Sequence, residues 1–224
     1  MATHSPTMDL TRQHGILPQK DMDDLETTII GVGGIGSWLA LALGKMGLPS
    51  FRIYDADIVE APNIPTQAFR LEDEGKGKVQ AMQEILIAFT GCSITAIPEH
   101  FAGQERLKGI VICAVDKMDT RIDIWQKFVR FNPMISLYVE ARMGAEELRV
   151  YSLKPTDPDL VHRYEGNLYP SSEAFQAPCT EKSIAYTVFT SAGIISREVK
   201  AHLTGEPVAF ENILGLKSRV WVVQ

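Results

Sequence analysis

Residues 28–37 read TIIGVGGIGS. A short apolar run stops at Gly31, and glycines recur at Gly33 and Gly36. Each has a physical use in a strand–turn–helix that holds phosphate. Gly31 permits the tight turn, Gly33 lets the backbone approach a pyrophosphate, and Gly36 lets helix and strand pack closely. The N–H groups that open the following helix then face the anion. Asp55 closes the next apolar run, SFRIYD, where an acidic side chain would bond a ribose hydroxyl. The pattern points to a nucleotide but does not separate NAD from ATP, because both carry phosphates and a ribose. A plain strand–turn–helix with glycines kept for packing is the alternative.

Outward from this loop, apolar runs alternate with helical periods. ETTII (26–30) predicts a strand. GIGSWLALALGKMG (34–47) predicts a helix lying on a sheet, ended by Gly47 and Pro49. SFRIYD (50–55) is a second strand, and residues 56–72 read as an irregular loop. KGKVQAMQEILIAFTG (76–91) places Val79, Met82, Ile85, Leu86 and Phe89 on one helical face. SITAI (93–97) and GIVICAV (109–115) read as strands, TRIDIWQKFVRF (120–131) as a helix, and PMISLYV (133–139) and ELRVYSL (147–153) as strands. Such alternation implies an α/β, Rossmann-like fold with a mixed, mainly parallel sheet and helices on both faces. Residues 154–182, rich in Pro, Ser, Asp and Glu, are expected to form one long loop. SIAYTVFTSAGIISREVKAHLTG (183–205) then predicts a long helix ending at Gly205, and SRVWVVQ (218–224) a final edge strand.

Composition narrows the classes. The 224 residues suffice for one large α/β domain or two small ones, with 45% hydrophobic and 22% charged residues. A net charge of −6 argues against a duplex-binding surface, so no nucleic-acid partner is expected. The three cysteines, Cys92, Cys113 and Cys179, are scattered and include no CxxC pair, which argues against a disulfide framework and a four-cysteine zinc site. The first fifteen residues lack the apolar core of a signal peptide. No apolar run reaches the roughly 18 residues a membrane span needs. A cytoplasmic setting without membrane attachment is the expectation.

Five motifs, in order, make the chain resemble the E1-like activating family: the ubiquitin-activating E1 enzymes and their bacterial relatives ThiF, MoeB and HesA. TRQHGILP (11–18) is similar to the family's N-terminal RQ segment. GVGGIGS (31–37) matches its glycine loop, with the doubled glycine at Gly34 and the trailing serine. YDADIVEAPNIPTQAF (54–69) resembles D-x-D-x-V followed by N-L-x-R-Q-x-F, DEGKGKVQA (73–81) resembles G-x-x-K-V/A, and CAVDKMDTR (113–121) resembles D-N…R. The likeness runs from about Arg12 to about Gly205. Residues 1–24 are polar and read as an N-terminal arm; the resemblance implies a single ATP-binding adenylation domain of the ThiF/MoeB type over 25–224.

The resemblance also implies a reaction: ATP adenylates the C-terminal carboxylate of a small ubiquitin-like protein ending in Gly-Gly, and pyrophosphate leaves. Two anions must meet, so cations and Mg²⁺ are needed where charge develops. By its match, Lys78 supplies the cation, and Asp116 holds Mg²⁺ directly or through water. Read alone, Lys78 is a solvated lysine at a helix start, and Asp116 a helix N-cap, a role Asp119 could also fill. Asn63 and Gln67 would contact ATP phosphates or base; read alone they are turn residues. Arg12 would reach into the neighbouring subunit's site, which implies a homodimer. No structural zinc is expected, because the zinc cysteines of many relatives are absent.

The chain also departs from the pattern. Thr66 stands where the family has arginine, with Arg70, Lys76 or Arg12 as candidate replacements, and Lys117 stands where asparagine is frequent. Cys179, in APCTEKS (177–183), resembles the thioester cysteine of larger relatives or simply starts the last helix. Cys113 reads as core. Arg142 and Arg149 could attract a carboxylate or sit as surface charges on a hairpin. Two other activities compete: an NAD-dependent Rossmann oxidoreductase, which leaves Asn63, Gln67, Lys78 and Asp116 unexplained as a set, and a non-catalytic E1-like partner subunit, which Thr66 favours. A peptide or other small carboxylate could also replace the ubiquitin-like substrate.

Overall fold

The computed structural model describes residues 8–19, 22, 24–173 and 183–224. Its elements follow the order β1 (Thr27–Ile30), α1 (Gly34–Lys45), β2 (Ser50–Tyr54), α2 (Lys78–Thr90), β3 (Ser93–Ile97), β4 (Gly109–Cys113), α3 (Met118–Ile124), β5 (Ile135–Gly144), β6 (Glu147–Leu153), α4 (Pro158–Glu165), α5 (Ala185–Thr204), β7 (Glu211–Gly215) and β8 (Val220–Val223). The strands form one sheet in the order β3-β2-β1-β4-β5-β6-β7-β8. Pairing is parallel from β3 to β5 and antiparallel from β5 to β8.

Strand alternation sorts the core into two faces. Ile29, Ile53, Ile110, Ile112, Val139 and Val150 point to one side, where α1, α2 and α5 cover them. Ile30, Tyr54, Val111, Cys113, Tyr138 and Tyr151 point to the other, under Ile124, Trp125, Val161 and Tyr164 of the α3 and α4 region. The four residues of β1 are all buried because helices lie on both sides of it. Cys113 is core as expected, fully buried.

Several expectations need correction. Residues 154–182 are not one loop: Pro158–Glu165 form α4, whose N-cap Asp157 accepts from the N–H groups of Asp159 and Leu160. Eight residues give too few turns for a period to stand out, but the Asp-Pro start is a readable cap signal. The helix expected over 120–131 begins at Met118, stays regular to Ile124 and passes into a π turn over Trp125–Val129. Phe89 leaves the buried face of α2 and is 56% exposed, with the Lys45 ammonium 5.1 Å from its ring centroid. Strand β7, absent from the sequence reading, fills the place between β6 and the expected edge strand β8. Among the described residues, no helix is long and apolar enough to cross a membrane.

Candidate active site

The order β2-β1-β4 puts a reversal of connection between β1 and β4, where ligands bind beyond the strand ends in open α/β sheets. The glycine loop lies there. Gly31 has φ +92°, and a Cβ on it would come within 3.0 Å of the Ala114 backbone, so the turn fits only glycine. Its N–H donates to the Tyr54 carbonyl at 2.8 Å, while the Ala114 N–H donates to the Ile30 carbonyl at 2.8 Å. A Cβ at Gly36 would overlap the carbonyl oxygen of Gly31. At Gly34 it would meet Val188 Cγ1 of α5 at 3.2 Å. At Gly33 nothing lies within 4 Å. Three of the glycines are thus fixed by packing or turn geometry, and Gly33 alone faces open space. No side chain caps α1 and no acid sits in its first turn, so its N-terminal N–H donors carry no internal anion.

Asp55 braces this loop. Its Oδ2 accepts from the Val32 N–H at 2.8 Å and its Oδ1 from the Asp57 N–H at 2.9 Å. Asp57 in turn holds Lys78: the Lys78 N–H donates to the Asp57 carbonyl at 2.9 Å, and Lys78 Nζ donates to Asp57 Oδ2 at 2.7 Å. The Lys78 side chain is only 9% exposed, whereas that of Asp57 is 61% exposed. The solvated-lysine reading therefore fails: Lys78 is a buried stem with its ammonium held by Asp57. Asp57 was legible only as the second acid of D-x-D, without a role of its own.

The 56–72 segment is fastened to α1 by Ser37, the last residue of the glycine motif, and by Trp38 just beyond it. Ser37, fully buried, accepts from the Ala68 N–H at 3.0 Å, and Trp38 Nε1 donates to the Thr66 carbonyl at 3.1 Å. Asn63 makes turn contacts: Oδ1 accepts from Glu60 N–H at 3.0 Å, and its carbonyl accepts from Gln67 N–H at 2.9 Å. Gln67 Oε1 is buried without a hydrogen-bond donor. An orphan acceptor costs free energy unless a ligand or water serves it.

Other cations are placed less favourably. Arg70 binds Asp73 through Nε at 2.9 Å and Nη2 at 2.7 Å, and Lys76 binds Glu84 at 2.7 Å and Asp73 at 3.1 Å. Both are committed and do not replace the arginine missing at Thr66. The Arg70 hydrogen bonds hold the buried Asp73 carboxyl down at about 2. Arg12 is exposed beside Gln13, whose Nε2 donates to the carbonyl of Lys45, the last residue of α1. The twelve residues of α1 span roughly 18 Å, so Arg12 sits at the far end from its own glycine loop.

Asp116 is exposed two residues beyond Ala114, at the carboxyl end of β4. It does not cap α3. The N-cap residue is Lys117, without a side-chain cap bond, and Asp119 bonds Ser171 instead. Among the described residues no cluster of three or more His, Cys, Asp or Glu gathers to hold a metal. A single carboxylate suits Mg²⁺, which keeps waters and takes substrate phosphates as ligands. Arg142 is not a surface attractor: it binds Glu140 and the Asn167 carbonyl with 11% side-chain exposure. Arg149 pairs with Glu211 at 3.3 Å. Cys92 is buried, its thiol donating to the Leu48 carbonyl at 3.4 Å. Cys179 lies outside the described residues.

A family model described as the ThiF family matches residues 6–220. Ubiquitin-like modifier-activating enzyme 5 of Dictyostelium discoideum is 32% identical over 118 residues, covering 48% of this chain and 31% of that protein. The sulfur carrier protein ThiS adenylyltransferase of Escherichia coli is 32% identical over 127 residues, covering 53% of this chain and 50% of that protein. The chain thus spans half or less of the length of these relatives. The crystal structure of PaaA superposes with a TM-score of 0.72 at 21% identity, covering 96% of this chain and 68% of that one, a likeness of fold.

Proposed function

Because this chain belongs to the ThiF family, we propose that it binds ATP at the glycine loop and adenylates the C-terminal carboxylate of a small ubiquitin-like protein ending in Gly-Gly, releasing pyrophosphate. The observation that carries this reading is the chain of contacts from the loop through Asp55 and Asp57 to the ammonium of Lys78. A dinucleotide oxidoreductase needs the first link and leaves the other two without a use.

In this reading the triphosphate lies against Gly33, where the backbone is open, and against the N–H groups opening α1. The Lys78 ammonium has three protons and spends one on Asp57, so two remain for phosphate oxygens. It is held before the nucleotide arrives, so little reorganisation is needed when charge develops. Gln67 Oε1 accepts from the nucleotide. A carboxylate oxygen of the partner attacks the α-phosphorus, the bond to the β-phosphate oxygen breaks, and pyrophosphate departs with that electron pair. Mg²⁺, held by Asp116, would neutralise the phosphates during this transfer. Asp55 keeps its bonds to Val32 and Asp57, which tie the loop to the lysine. Arg12 serves the neighbouring subunit of a homodimer.

Isothermal calorimetry with ATP·Mg²⁺ and with NAD tests the first step, and ATP–pyrophosphate exchange with a β-grasp carrier tests the second. NAD binding without ATP binding would overturn the proposal. Thr66, with Arg70 and Lys76 both neutralised by acids, favours one other reading, a non-catalytic partner subunit. Tight ATP binding with no exchange in the presence of the carrier would support it.

A further inference from the structure

A second charged cluster lies at the carboxyl ends of β4 and β5 and plays no part in the chemistry above. Glu140 is fully buried, and its carboxylate serves Arg121, Arg142 and the Tyr164 hydroxyl. Burial alone would push the Glu140 carboxyl up, but Arg121 and Arg142 outweigh it and hold it below the usual range. Each arginine also grips a backbone carbonyl. Arg121 donates to Val115, the residue before Asp116, and Arg142 donates to Asn167 at 2.8 Å. The Arg142 guanidinium lies 5.5 Å from the Tyr169 ring centroid as well. At the surface a separate pair of bonds runs the same way: Ser171 N–H donates to Asp119 Oδ1 and Asp119 N–H donates to Ser171 Oγ, both at 3.0 Å.

Two routes, one through Arg121, Glu140 and Arg142 and one through Asp119 in the first turn of α3, therefore join the Asp116 turn and the helix it opens to residues 166–173. Buried ion clusters contribute little net stability, because desolvation offsets their attraction. What this one supplies is geometry. Two planar guanidinium forks, each with donors in fixed directions, span the gap between one carboxylate and three carbonyls, those of Val115, Ala141 and Asn167.

We propose that Arg121, Glu140 and Arg142 are positioning residues that lock the Val115–Asp116 turn to residues 166–173, so that nucleotide bound at the glycine loop stabilises that segment. The inference rests on the nucleotide-binding reading. Linkage is reciprocal, so order in the segment also favours the nucleotide-bound state.

Hydrogen-exchange mass spectrometry on the full chain, with Mg²⁺ and α,β-methylene-ATP as the probe, tests it without a protein substrate. In the unaltered chain the analogue slows exchange in residues 31–37 and in 166–173 together. Arg142→Lys keeps the charge but cannot span Glu140 and Asn167, and Asp119→Ala removes the surface pair from an exposed site. In each variant the analogue-induced protection of 166–173 falls at least about fivefold, the lower end of ordinary coupling, while that of 31–37 persists. Protection of 31–37 without protection of 166–173 in the unaltered chain would overturn the linkage alone. Undiminished protection of 166–173 in both variants would do the same. No protection of 31–37 would overturn the nucleotide reading and the linkage with it.

Discussion

Lys78 Nζ stands 2.7 Å from Asp57 Oδ2, and the lysine is the buried member of the pair. The acid reaches solvent, so the pair is not sealed in a closed interior. Lys78→Ala is expected to lower pyrophosphate exchange about 100-fold or more, the usual loss for one preorganised charge contact. Its folding cost stays modest, because the Asp57 left behind is 61% exposed. Asp57→Asn keeps an acceptor for Nζ and loses less activity. Near-normal exchange in Lys78→Ala would remove this residue from the mechanism.

Gly33 and Gly36 separate packing from binding. Gly36→Ala places a Cβ on the Gly31 carbonyl and is expected to cost about 2–4 kcal/mol of stability. Gly33→Ala meets no atom within 4 Å and should cost about 1 kcal/mol or less, yet weaken ATP binding by intruding where the phosphates lie. Urea melts and calorimetry on both variants check this. Equal melts, or unchanged affinity in Gly33→Ala, would contradict it.

Asp73 gives the fold an acid-sensitive point outside the glycine loop. The Arg70 hydrogen bonds depress its carboxyl from the ordinary range to about 2. A depressed acid contributes stability above its unfolded pKa of about 4 and loses it as pH falls towards 2. Asp73→Asn should therefore destabilise by about 1–2 kcal/mol at pH 7, allowing for the partly exposed Arg70, and the gap to the unaltered chain should close between pH 4 and pH 2. Denaturant midpoints at pH 7 and pH 3 measure it, and a gap that widens in acid would refute the assignment.

Arg12 sits at the distal end of α1, so any catalytic role must be played in trans. Arg12→Ala and Lys78→Ala chains should each lack exchange activity alone. Mixed and allowed to trade subunits, they should regain about a quarter of the intact sites, because half the dimers then hold one complete site. No recovery, or a monomer in light scattering, would count against the trans role.

Cys179 lies outside the described residues, and its prediction rests on sequence. Cys179→Ser should leave acyl-adenylate formation unchanged, because adenylation uses the phosphate site and needs no thiolate. Denaturing mass spectrometry with and without reductant reads the outcome. A reductant-sensitive conjugate lost in the serine variant would establish a covalent role instead.

The sequence by itself determined the β1–loop–α1 unit, the parallel half of the sheet and the positions of α2 and α5, because each is written in local terms: glycine spacing, a helical period, a Gly cap. It also pointed to Lys78 and Asp116, but only through resemblance to a family. Tertiary structure decided what those residues touch. That Lys78 is held by Asp57, that Arg70 and Lys76 are consumed by Asp73 and Glu84, and that Arg142 is an internal brace all depend on partners brought together by folding. Helix α4 and strand β7 were hidden for a related reason. One is too short to show a period, and the other gains its place from pairing with β6 and β8 rather than from its own five residues. Burial turns a charge from a solvated surface feature into a placed one, and burial is a property of the packed chain.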